Sequence, residues 1–181
     1  MQLYANRRTH LPGNGMSTMA DDILQPLNLK VLRYLSRNKP MAPLFALWDS
    51  VPDPYCQCGT HPDIVGFLWE TCGSKLPADC RGLIYGCPVL VHPHSGVIFA
   101  IGTGTTCFLR LPGMLGAEAV KDGAKTVENF SSRVLDLRAE LGEDWYFGLF
   151  GTHVSSSSAY CELVYEMFDC KQAVINPATR Q

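Results

Sequence analysis

From Gly82 to Leu109 the chain reads GLIYGCPVLVHPHSGVIFAIGTGTTCFL, without a single Asp, Glu, Lys or Arg. Turn formers cut this stretch into short runs: Gly86 and Pro88, then Pro93-His94-Ser95-Gly96, then Gly102-Thr103-Gly104-Thr105. Val, Ile, Phe and Thr fill the runs between them, which is the pattern of antiparallel strands joined by hairpins. A strand with one wet face shows a polar residue at every second position. Here strict alternation puts Val97, Phe99 and Ile101 on one side and Ile98 and Ala100 on the other, and both sets are apolar. The stretch therefore predicts a β-meander that must be covered on both faces, and the rest of the chain has to provide the cover.

The flanking sequence reads as helical. Asp21 to Arg37 is expected to be one helix capped by Asp21 or Asp22, with Leu27, Val31, Tyr34 and Leu35 as its apolar stripe. Thr60-His61-Pro62-Asp63 has the form of a capping box with proline in the first turn, leading into Ile64, Phe67, Leu68 and Cys72. Leu115 to Asp122 predicts a short helix ended by Gly123. Val134 to Leu137 and Trp145-Tyr146-Phe147 predict further strands, and Ser155 to Ser158 predicts a polar run capping a last helix whose apolar face is Tyr160, Leu163, Val164 and Met167. Strands in one block with helices at both ends specify the α+β class: an antiparallel meander covered by helices from both ends of the chain. The organisation expected is a flexible leader over 1–18, an N-terminal helix and Pro-rich connector over 19–55, the α+β domain over 56–170 and a tail over 171–181.

Charged residues make up 18% of the 181 and the formal net charge is −2, so there is no basic excess to neutralise phosphates and nucleic acid is not the expected partner. No apolar run reaches the roughly 20 residues that span a bilayer, and the first residues lack the apolar core of a secretory signal. The reading is a cytoplasmic protein without a membrane partner, whose eight cysteines are free thiols rather than a disulfide framework.

Two clusters have residue types suited to metal chemistry. Cys56-Gln57-Cys58-Gly59-Thr60-His61 supplies two thiolates and an imidazole, which are zinc ligands, although no second cysteine pair stands at the usual spacing. Cys56, Cys58 and His61 are the candidate metal ligands, and zinc is the one cofactor the pattern admits. His92-Pro93-His94 places two imidazoles at a strand end, suited to ligand binding, metal binding or proton transfer. Cys87, between Gly86 and Pro88, reads as a buried structural thiol. Tyr85, His92, His94, Trp145 and Phe147 are the candidate binding residues, and no catalytic residue is assigned.

His61-Pro62, Trp69, Leu76-Pro77-Ala78-Asp79-Cys80-Arg81, Tyr85-Gly86, Val91-His92-Pro93, Ser95 to Ala100, Leu109-Arg110-Leu111-Pro112 and Asp144-Trp145-Tyr146-Phe147-Gly148 together resemble a group of small bacterial proteins of unassigned activity. More distantly, the Tyr-Gly strand, the hairpin and Leu109-Arg110-Leu111 are similar to the TfoX N-terminal and YjbR-like domains. That likeness implies a small α+β fold and a link to DNA-related regulation.

The function expected first is a non-catalytic binding or regulatory protein of antitoxin or adaptor type, acting through a protein partner or as a homodimer. It is motivated by the two-sided apolar sheet and the aromatic run Trp145 to Phe147. The alternatives are a small metal- or thiol-dependent enzyme using the Cys and His clusters, and a DNA-associated regulator implied by the resemblance.

Overall fold

The structure, a computed structural model, describes residues 19, 21–37, 43–53, 55, 59–127, 140–149 and 154–175. The predicted strand at Val134 to Leu137 and the cysteines Cys56 and Cys58 lie outside the described residues.

The charge-free stretch forms four consecutive antiparallel strands: β2 (Arg81–Ile84), β3 (Cys87–Val91), β4 (Ile98–Thr103) and β5 (Thr106–Arg110). The β2–β3 hairpin closes through Tyr85 and Gly86, both at positive φ (48° and 75°), as a two-residue turn matched to strand twist requires. Three short strands extend the meander: β1 (Phe45–Leu47), β6 (Lys125–Thr126) and β7 (Trp145–Phe147). Among the described residues the result is a seven-stranded sheet of order β1-β2-β3-β4-β5-β7-β6. Strand β1 falls in the Pro-rich connector and pairs with β2, Ala46 opposite Leu83, so the N-terminal part and the meander share one sheet.

Strict alternation fails at one place. Val91 pairs with Ile98 but Leu90 pairs with Ala100, so one residue of β4 is extra, a β-bulge. Phe99 and Ala100 consequently join Val97 in one core, while Ile98 and Ile101 join the other. The predicted partition of Val97, Phe99 and Ile101 against Ile98 and Ala100 is corrected by that extra residue.

Both faces are covered. One is packed by α2 (Pro62–Gly66, continuing as a π-helical turn over Phe67–Cys72), α3 (Met114–Lys121) and α4 (Val154–Ile175), around the buried Trp69, Leu68, Phe99 and Val164. The other is packed by Ile23 and α1 (Leu29–Ser36) over Ile84, Val89, Ile98 and Phe108. Gly116 of α3 lies so close to the ring of Tyr146 that a Cβ there would overlap the phenol.

The first predicted helix is broken. Pro26 lacks an N–H and opens a separate 3-10 turn, Pro26–Asn28, which runs into α1. The break turns Leu27 outward and puts Leu32 in the buried stripe with Val31, Tyr34 and Leu35. In α2 the capping residue is His61, whose Nδ1 accepts from the Asp63 amide. Thr60 instead bridges to Gly104. The serines Ser155 to Ser158 lie inside α4, not before it, and α4 runs on past Cys170 to Ile175. With its start moved, α4 buries Tyr160, Cys161, Val164 and Phe168, and Leu163 faces out.

Asn28 is fully buried and fully bonded. Its side-chain NH2 donates to the carbonyls of Ile23 (2.9 Å) and Gly96 (2.7 Å), and its side-chain oxygen accepts from the Ile98 amide (3.1 Å). The Gln25 amide nitrogen also donates to the Ser95 carbonyl. These bonds fasten the N-terminal segment to the turn between β3 and β4, and that turn carries the two histidines. Gly96 sits there at φ 65° against the backbone of Asp22, where no side chain fits.

Candidate functional site

His92 follows the last residue of β3 and starts a tight turn, closed by the Gly96 amide donating to the His92 carbonyl (2.8 Å) and the His92 amide donating to the Val97 carbonyl (2.9 Å). Its imidazole is 0% exposed. It packs on Tyr165 of α4 with ring centres 4.7 Å apart and lies near Phe168 at 6.4 Å. Nδ1 is engaged within the turn: the Ser95 amide donates to it at 3.1 Å, and Ser95 Oγ lies at 2.9 Å. Nε2 is buried and has no hydrogen-bond partner. A buried polar atom without a partner is uncommon and costs about 1–3 kcal/mol, so it asks for an explanation.

Nε2 points towards a small set of groups. Asp169 Oδ1 of α4 is 3.9 Å from His92 Nε2 and 3.8 Å from His94 Nδ1. The two imidazoles are 5.8 Å apart, centre to centre. One donor atom from each of His92, His94 and Asp169 lies within 4.8 Å of the other two. His94 and Asp169 have side chains 68% and 54% exposed, so the cluster is rigid on one side and open to water on the other. Burial pulls the His92 ring below its usual pKa, with Asp169 partly countering, so the ring is held neutral, as a ligand must be.

The tautomer sets a further condition. While Nδ1 accepts the Ser95 amide, the neutral ring keeps its proton on Nε2, facing Asp169. A cation on Nε2 needs that proton on Nδ1, and Ser95 Oγ is placed to accept it there. The donor set, two imidazoles and one carboxylate, suits zinc and other divalent transition metals, and three protein ligands leave a coordination position open. Zinc distances of roughly 2.0–2.2 Å require the three donors to draw closer, a movement the exposed His94 and Asp169 side chains can supply.

The structure thus brings His92 and His94 together and adds Asp169, which the sequence places only on the polar side of the last helix. His61 is at the start of α2 with an exposed side chain and Asp63 Oδ2 at 3.6 Å. Tyr85 is at the apex of the β2–β3 turn. Trp145 is buried beneath the Arg110 guanidinium, 5.8 Å from ring centre to Cζ, and Phe147 stacks at a tilt on Phe108 at 5.9 Å. Neither aromatic stands out as a surface knob. Cys87 is buried, as are Cys72, Cys80, Cys107 and Cys161, and among the described residues no disulfide joins them; Cys170 is exposed. Burial raises Cys80 to about 12. The neighbouring Cys72 sulfur and complete burial hold Cys107 and Cys161 well above their ordinary range. No helix among the described residues is long and apolar enough to cross a membrane.

No family model, curated protein or solved structure matches the chain.

Proposed function

We propose that the protein binds a divalent transition metal, zinc first, through His92 Nε2, His94 Nδ1 and Asp169 Oδ1, with an open position for water or a small anionic ligand. The observation that carries this reading is the buried, unpartnered Nε2 of His92 facing a second imidazole and a carboxylate. Open zinc sites of this kind act as Lewis acids, so the reading belongs with the metal-dependent alternative rather than with a purely structural metal.

Zinc titration into chelator-stripped protein by calorimetry tests it. One zinc per chain is expected, with affinity reduced at least tenfold in His94→Ala and in Asp169→Asn, both exposed enough to leave the fold intact. The double variant Cys56→Ser/Cys58→Ser separates this site from the thiol cluster and should bind as the parent does. Absence of stoichiometric zinc, or undiminished binding in His94→Ala and Asp169→Asn, refutes the reading.

A second reading, association with a protein partner or a second copy, is favoured by Leu24, Leu27 and Leu29, each about half exposed within six residues of chain. Native mass across a dilution series checks for the dimer; a monomer at every concentration removes that form of it.

A further inference from the structure

On the sheet face opposite α4, Pro26 and the loop before β7 border a cavity of about 250 Å³, lined among others by Leu27, Lys30, Arg110, Glu143, Asp144 and Trp145. Arg110 is the last residue of β5, on the core side of the strand, and only 9% exposed. A buried guanidinium is costly unless it is paired. One of its donors is used: Nη1 donates to the Leu27 carbonyl at 3.1 Å. Its Cζ lies over the Trp145 indole, 5.8 Å from the ring centre. Among the described residues no carboxylate lies within 4.0 Å of it. Among the described residues Nη1 is the only guanidinium nitrogen with a hydrogen bond, and Arg110 lines the cavity.

A rigid planar fork with unused donors at the wall of a cavity is the arrangement that takes a carboxylate or phosphate two-pronged. The rim decides between them. Lys30 adds a second positive group, but Asp144 brings a negative one, which a dianion would meet. The volume falls below the roughly 300–1,000 Å³ of sites for drug-sized molecules, which points to a small metabolite.

We propose that this cavity binds a small zwitterion, a free α-amino acid, with its carboxylate on Arg110 and its ammonium group towards Asp144. Burial alone pulls the Arg110 guanidinium below its usual pKa, and Asp144 only partly restores it, so an incoming carboxylate stabilises a charge the fold leaves under-compensated. The site is independent of the metal reading: the two sit under different helices, on opposite faces of the sheet.

The test is thermal denaturation with each of the twenty proteinogenic amino acids at about 10 mM, enough to reveal millimolar binding, followed by calorimetry on any that stabilise. At least one is expected to bind one per chain, with its N-acetyl derivative at least tenfold weaker. Arg110→Lys, which keeps the charge and loses the fork, and Asp144→Asn, at the exposed rim, should each weaken binding at least tenfold. No binding by any of the twenty, unchanged binding in a folded Arg110→Lys protein, or equal binding of inorganic phosphate overturns the proposal.

Discussion

The two faces of the sheet are covered differently. Under α2, α3 and α4 the core is largely apolar and aromatic: Trp69, Phe99, Tyr160 and Phe168 fill it, and the buried imidazole of His92 lies beside Phe168. Under α1 the cover is thinner, and two strongly polar side chains, Asn28 and Arg110, lie inside it. Each face is defined by a different balance of contacts. With the Trp69 Nε1 bond to the Val89 carbonyl added to it, the α4 face is held mainly by apolar area, which is not directional. The α1 face is held in register by hydrogen bonds from single side chains to main-chain groups, which are.

That contrast can be broken from either side. The largest effect is expected from Trp69→Ala, which empties a fully buried indole site and removes the hydrogen bond from its Nε1 to the Val89 carbonyl (3.2 Å). A loss of about 4 kcal/mol in urea unfolding is the expected outcome. On the other face, Asn28→Leu keeps the branched shape but removes the bonds to the Ile23 and Gly96 carbonyls and the Ile98 amide; roughly 3 kcal/mol should be lost. Because those bonds hold the histidine turn, zinc affinity should fall in Asn28→Leu more than in Trp69→Ala at equal folded fraction. Gly116→Ala, which drives a methyl into Tyr146, should cost about 1–3 kcal/mol.

The smallest effect concerns the thiols. Cys80 stays protonated to about pH 12 when folded but ionises near pH 9 when unfolded, so the unfolded chain holds fewer protons between those values. Its contribution is intact below pH 9 and declines as pH rises above it. Alkylation of native protein at pH 8, read by peptide mass spectrometry, should modify Cys170 and spare Cys72, Cys80, Cys87, Cys107 and Cys161.

The meander was legible because a run without charge between turn residues leaves no wet face to assign. Strand β1 was not, since Pro40 and Pro43 before it and Pro52 after it suggest a connector, and its pairing with β2 is a long-range matter. The bulge in β4 was hidden for a simpler reason: Phe99, Ala100 and Ile101 are all apolar, so no polar residue marks the slip. His92-Pro93-His94 could be seen as a pair of ligands, whereas Asp169 could not be joined to them. Its neighbours Glu162 and Glu166 repeat the same outward-facing pattern along α4, and only the crossing of α4 over the end of β3 distinguishes it. Arg110 carried a signal that composition hides, being the first charge after the long neutral stretch and still within a strand.

Among the described residues the outer strands of the sheet are short, β1 with three residues and β6 with two. A meander greasy on both faces is hazardous while it is being made, because any long outer strand would offer its free amides and carbonyls as a template to another chain. Such short outer strands give a newcomer little to zip onto. Lengthening either border strand is expected to promote edge-to-edge association, seen as concentration-dependent light scattering.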